Sequence, residues 1–212
     1  MKKLNKTQKN ISILIIFCLF LLAIRMKITN SIFFGFLIWN LFLALVPYII
    51  SIKLKKFNLQ KTSKIKLSSI IFIWLVFLPN APYIITDFIH LHHSKSTLIW
   101  LDIFMLFSFA STGLLLAIIS LNDIFKLIKQ KWNSKIAHIF IIASTFLCGF
   151  GIYLGRFLRF NSWDLFTKPI HIIKTSFLSF YDLKTWFITF GFGFFLYILH
   201  TITHNIRKSY CA

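Results

Sequence analysis

Two arginines three residues apart stand in the string Gly155-Arg156-Phe157-Leu158-Arg159-Phe160-Asn161-Ser162-Trp163-Asp164. Guanidinium forks match the geometry of phosphate and carboxylate, so Arg156 and Arg159, with Asn161 beside them, are candidate anion-binding residues. If the helix before them continues, the two arginines share one face. Snorkelling to lipid headgroups, with Trp163 as an interface anchor, is the plainer role. It accounts for one arginine better than for the whole string. Asp87 precedes His90 by three, so on a helix the two lie on one face. Such a pair can move protons or contribute to a divalent-metal site, but two ligands do not complete one. His92 and His93 could add ligands; adjacent residues diverge on a helix, and a solvated interfacial loop is the better reading for them. Asp102 follows Trp100 by two at the edge of a long apolar run. An ionisable residue there is a functional candidate by default, with pairing to a nearby arginine as its plain alternative. Asp87, His90 and Asp102 are therefore the catalytic candidates. His200 and His204, four apart with no acidic or cysteine residue near them, read as interfacial histidines. No metal or other cofactor can be named.

The string Leu78-Pro79-Asn80-Ala81-Pro82 is the other unusual feature. Proline removes a donor and clashes with the preceding helical turn, and it pushes the residue before it out of helical geometry. Pro79 and Pro82 should therefore break a helix, with Asn80 placed to satisfy freed backbone groups. Residues 67–78 span about 18 Å at 1.5 Å per residue, so the break falls inside a hydrocarbon core of about 30 Å. Backbone freed at that depth must face protein or a wet cavity. A simple proline kink is the alternative.

These residues are carried by a very apolar chain. Apolar residues make up 58% of 212 and charged residues 14%, against about 25% charged in soluble domains. Charges fall between apolar runs rather than along them, which is the pattern of a membrane protein. The expected fold class is all-α: a polytopic transmembrane helix bundle of about six spans forming a single domain over 1–212. The spans are placed at about 9–25, 31–52, 67–86, 98–121, 136–155 and 186–203. The amino-terminal run resembles a signal peptide, but Ala23-Ile24-Arg25 is not a small-x-small cleavage site, so it is read as the first span. Residues 169–184 form an amphipathic helix with Ile170, Ile173, Phe177 and Phe180 as its stripe and Pro169 near its start, lying flat on the outer surface.

Orientation follows from the basic residues. With both termini inside (N-in/C-in), sixteen of the 24 lysines and arginines are cytoplasmic, as the positive-inside rule requires. Asp87, Asp102, Asp164, Asp182, the histidines at 90, 92, 93 and 171, and both arginines of the pair then lie outside. Small residues form stripes on two spans: Ala110, Gly113, Ala117 and Ser120 on the fourth, and Ser144, Cys148, Gly151 and Gly155 on the fifth. Such stripes let membrane helices approach closely, and they are read as structural.

Several functions are excluded by composition or by motif. A net charge of +19 suggests nucleic acid, but no basic face in a soluble segment and no nucleic-acid motif accompanies it, so no nucleic-acid partner is expected. The five acidic residues are all aspartate. Cys18, Cys148 and Cys211 are too few and too scattered for a disulfide framework or metal motif. No serine-nucleophile, zincin or phosphate-loop pattern is present.

The string from Phe77 through Pro79-Asn80-Ala81-Pro82-Tyr83-Ile84-Ile85-Thr86-Asp87-Phe88-Ile89-His90 to Leu91 is similar to the hallmark of a bacterial membrane-protein family, domain of unknown function 1361. Trp100-Leu101-Asp102 and the block 154–164 resemble its other segments. The resemblance implies a multi-span protein of the bacterial cytoplasmic (inner) membrane and supplies no activity. The function expected is a polar site at the outer membrane face that binds an anionic lipid headgroup or lipid-linked precursor. The alternatives are a small transporter gated by the broken third helix and an accessory subunit of a membrane complex. Membrane lipids are the expected partners, with a homo-oligomer or another membrane protein as further possibilities.

Overall fold

A computed structural model describes residues 5–58, 62–93 and 98–209. In chain order the helices are α1 (Lys6–Thr29), α2 (Phe36–Leu54), α3 (Lys64–Phe77), a one-turn α4 (Asn80–Tyr83), a 3₁₀ segment (Ile84–His93), α5 (Ile99–Lys131), α6 (Ser134–Arg156), the short α7 (Asp164–Thr167), α8 (Pro169–Ser179) and α9 (Leu183–Ser209). No strand occurs among the described residues. Six helical runs, the third formed by residues 64–92, are long and apolar enough to cross a membrane. The protein is an all-helical, multi-pass integral membrane protein.

α5 is the central helix and is the most buried of the six. It packs against α1, α2, α4, the 3₁₀ segment, α6 and α9. Its small-residue stripe explains the closeness: a Cβ on Gly113 would collide with the Ala81 carbonyl oxygen. Further along, Trp74 Nε1 donates to Ser120 Oγ at 2.5 Å and that hydroxyl donates to the Pro47 carbonyl at 3.2 Å, tying α3, α5 and α2 together. α6 pairs most extensively with α9, through Gly149 against Thr189 and Gly193 against the Phe146 ring. The opposite side of α6 seats on the α3–α4 junction, where a Cβ on Gly151 would lie 2.5 Å from Pro79 Cγ.

Several elements run longer than the apolar pattern suggests. α1 continues to Thr29, beyond the end expected for the first span at residue 25, because Arg25 is buried and paired. α5 continues to Lys131 where a loop was expected from 122, because Ile124, Phe125, Leu127 and Ile128 keep the helical period and Asp123 is buried against Lys55 Nζ at 2.6 Å. The turn comes instead at Asn133, whose side chain accepts from the Ile136 amide. α8 is shorter than expected. It stops at Ser179 because Asp182 begins α9, accepting from the Lys184 amide at 2.9 Å. The stripe residues Ile170, Ile173, Phe177 and Phe180 are exposed, and Ile172 turns inward instead.

Cys18 and Cys148 are buried free thiols, as filler residues would be. Cys211 and residues 94–97 of the histidine-bearing loop lie outside the described residues.

Candidate functional site

The third run is interrupted where the prolines stand. α3 ends at Phe77, and Leu78 and Pro79 form a turn before α4 begins. Pro82 cannot donate to the Leu78 carbonyl, so the Ala81 amide takes that acceptor, at 3.2 Å. The Phe77 carbonyl thereby loses its partner and receives Asn80 Nδ2 instead, at 3.0 Å. Ser162, from the loop after α6, donates weakly to the Val76 carbonyl at 3.4 Å and accepts from Asn80 at 2.8 Å. The freed backbone thus faces protein, as its depth demands. The interruption is gentler than two prolines suggest, since Leu78, Pro79 and Ile84 all keep right-handed helical dihedrals.

Beyond α4 the chain tightens into the 3₁₀ segment, ten residues long, where such runs rarely exceed three or four. A 3₁₀ helix has three residues per turn, so side chains at i and i+3 eclipse. Tyr83 and Thr86 form one row here, Asp87 and His90 the next. One guanidinium engages both rows. Arg156, the last residue of α6, donates from Nη2 to Asp87 Oδ1, from Nε to Thr86 Oγ1 at 2.8 Å, and meets His90 Nε2 at 3.2 Å through Nη1. Its carbon lies 4.6 Å from the centroid of the Tyr83 ring, a cation–π contact. Asp87 is 1% exposed; its other oxygen accepts from Asn40 Nδ2 of α2 at 2.7 Å. Arg156 is thus fully engaged within the protein.

Arg159 behaves differently. α6 ends at Arg156, so the shared helical face expected for the two arginines does not form. Arg159 instead adopts a left-handed backbone (φ 58) in the turn that closes with the Phe160 amide on the Leu154 carbonyl. Non-glycine residues avoid that region, and strain of this kind gathers at functional sites. Its side chain is exposed and makes no hydrogen bond or ion pair among the described residues. Asn161 forms a capping turn with Asp164, its amide donating to Oδ2 at 2.7 Å.

Arg159, Asn161, Asn80, Asn40 and Tyr83 border a cavity of about 530 Å³. Its walls are apolar faces of α2, α3 and α6, with Leu165 of α7 and Ile172 of α8 closing one side. From Gly155 down to Leu147 the α6 wall runs about 12 Å along the helix axis. Trp39, Phe72 and Leu147 line it yet are half exposed on the bundle surface. The cavity therefore opens sideways, between helices, as well as at the Arg159 end.

Asp102 does not join this cluster. It is fully buried and accepts from Arg25 Nε at 3.0 Å. Arg25 also donates to the Ser31 carbonyl at 3.2 Å and lies over the Phe34 ring at 4.6 Å. The pair joins α1 to α5. Of the expected site residues, the structure brings Asp87, His90 and Arg156 into contact. It sets Arg159, Asn161 and Asn80 around the adjoining cavity, with Pro79 in its wall, and Pro82 buried in α4. His92 is exposed on the 3₁₀ segment. His200 and His204 lie at the other end of the bundle, their rings packed on Phe125 of α5. No group of three metal-ligating side chains occurs among the described residues.

Asn40, Tyr83, Thr86 and Arg25 were not singled out from the sequence. Asn40 could have been: an amide amid the apolar residues of a span needs a partner. Arg25 could also have been, as an arginine at the end of the bundle that holds the minority of the basic residues.

No curated protein and no solved structure matches the chain. A family profile described as "Protein of unknown function (DUF1361)" matches residues 39–199, from Trp39 at the cavity wall nearly to the end of the last span. The match covers most of the chain, from within α2 into α9 and including both blocks that build the site, and the protein therefore belongs to the DUF1361 family.

Proposed function

We propose that this protein holds a membrane amphiphile at its Arg156 end, with the apolar tail in the cavity between α2, α3 and α6 and the anionic headgroup on Arg159 and Asn161. One observation carries this reading: an apolar cavity of about 530 Å³ ends at a cation with no hydrogen-bonding or ionic partner among the described residues. That volume lies within the usual range for ligand sites, about 300–1,000 Å³. The sideways opening supports entry from the bilayer rather than from water. Arg156, Asp87 and His90 back the site by holding Tyr83 and Asn40 in place; no chemical step is assigned to them. The right-handed backbone through the proline break supports a binding role over a gate built from an unwound helix. The basic residues support placing this end outward, in a bacterial cytoplasmic membrane, with both termini inside.

Protein purified with native lipids and weighed intact should carry an anionic lipid. Arg159→Gln, which removes the cation, and Leu147→Trp, which fills the cavity, should each release it without lowering yield. Retention by both variants would end the proposal. Orientation is checked separately by single-cysteine labelling of intact cells in a cysteine-free background. Position 176 should react from outside, and positions 63 and 134 should not. Ser94, which lies outside the described residues, should react from outside as well.

A further inference from the structure

We infer that the headgroup taken by this site is a hydroxylated phosphate: a phosphate or pyrophosphate whose neighbouring group carries free hydroxyls, as a polyol or sugar does. This rests on the lipid-site reading above and narrows it.

The orientation of two side-chain amides points to it. Asn40 Nδ2 donates to Asp87 Oδ2 at 2.7 Å. Asn80 Nδ2 donates to the Phe77 carbonyl at 3.0 Å and to Ser162 Oγ at 2.8 Å. A carboxylate and a carbonyl can only accept, so neither amide can be turned around without setting acceptor against acceptor. Both residues line the cavity. Asn80 has spent both its donors on the protein and Asn40 one of its two, and neither amide oxygen makes a hydrogen bond among the described residues. Neither oxygen is among the sealed, unsatisfied atoms of the interior, so both remain open to an occupant. The Tyr83 hydroxyl is in the same condition, with its ring held between Arg156 and Gly155.

The polar end of the cavity therefore offers one cation, the Asn80 oxygen as an acceptor with no donor left beside it, and the Asn40 amide, the Asn161 amide and the Tyr83 hydroxyl, each able to do either. A bare phosphate offers only acceptors, apart from any proton it retains. It would satisfy Arg159 and could take the remaining Asn40 N–H, but it would leave the Asn80 oxygen facing oxygen, a mismatch that lowers affinity. A hydroxylated headgroup answers both: its phosphate lies on Arg159 and its hydroxyls donate to Asn40 and Asn80. An ammonium headgroup could also donate, but it would approach Arg159, and no carboxylate is among the residues lining the cavity.

The test uses the full chain in detergent, weighed intact with matched probes. Phosphatidylglycerol is set against phosphatidic acid of the same chains, and a glycosyl phosphoprenol against the bare phosphoprenol. The pair that is retained shows whether a two-chain phospholipid or a lipid-linked sugar supplies the headgroup. The hydroxylated member of a retained pair should be preferred about tenfold, the discrimination given by two neutral hydrogen bonds. Tyr83→Phe removes a hydroxyl without a protein partner, and should weaken retention several-fold with the unfolding temperature unchanged. Equal or better retention of the bare phosphates, or of phosphatidylethanolamine, overturns the inference; if Arg159→Gln still releases them, the lipid site itself stands. Retention indifferent to Arg159→Gln in every arm overturns both.

Discussion

Two buried arginine–aspartate pairs lie at the same end of this bundle, and they do different work. Arg25 and Asp102 join α1 to α5 in a closed contact: the guanidinium is spent on a carboxylate, a backbone carbonyl and the Phe34 ring. Nothing in that pair reaches the cavity. Arg156 and Asp87 are paired as tightly, but their outer partners, Tyr83 and Asn40, form part of the cavity's lining. The first pair fastens a helix. The second is a brace behind a site, and the group free to meet a ligand is a third arginine, Arg159, which is unpaired because its backbone turns left-handed just past the end of α6. Chemical type and membrane depth do not separate these arginines. Their partners do.

Breaking the fastener should give the largest effect. Asp102→Asn leaves Arg25 buried without a counter-charge, and loss of one partner of a buried pair costs about 3–5 kcal/mol. Folded protein recovered from membranes should fall sharply, and the double change Arg25→Met with Asp102→Leu should recover much of it. Recovery no better than the single variant would show that the pair is more than a fastener. Asp87→Asn should cost less, about 1.5–3 kcal/mol for a charged hydrogen bond, because Thr86, His90 and Tyr83 still hold Arg156. It should also weaken lipid retention, which Asp102 variants that fold should not. Equal effects of the two aspartates on retention would erase the distinction between fastener and brace.

Asn80→Ala tests the break itself. Loss of the hydrogen bond to the Phe77 carbonyl should cost about 1 kcal/mol, seen as a lowered unfolding midpoint. The smallest effect on stability, and the most telling in sign, is expected at Arg159. Glycine relieves a left-handed penalty of about 1–2 kcal/mol and brings back about 0.5–1 kcal/mol of unfolded-state freedom. Arg159→Gly should therefore be neutral or slightly stabilising while it abolishes retention of anionic lipid. A clear loss of stability would mean that the arginine, like Arg25, is structural.

The six spans were legible in the sequence because a bilayer compels them. About twenty apolar residues are needed to cross, every backbone group must be bonded within the helix, and basic residues collect at one end. The same constraint made the proline break legible, along with the need for Asn80 to answer a freed carbonyl. Small-residue stripes marked the faces where α5 and α6 meet α4 and its flanking segments, since close backbone approach needs a missing side chain. The polar blocks around Asp87, Asp102 and Arg156 were legible as unusual, because charge in an apolar run is rare.

Which charge meets which could not be read there. Arg25 reaches Asp102 across 77 residues and Arg156 reaches Asp87 across 69. Over such separations, partner choice depends on helix azimuth and on which helix neighbours which, quantities that local periodicity does not carry. The eclipsed rows of the 3₁₀ segment, the left-handed turn that parts Arg159 from Arg156, and the space left between α2 and α6 are likewise products of packing. By itself, the sequence determined that the chain crosses a membrane and where its polar residues gather along it. The tertiary structure alone decided which of those residues are consumed by one another and which is left to meet a ligand, because burial makes every charge take a partner and only assembly determines the partners in reach.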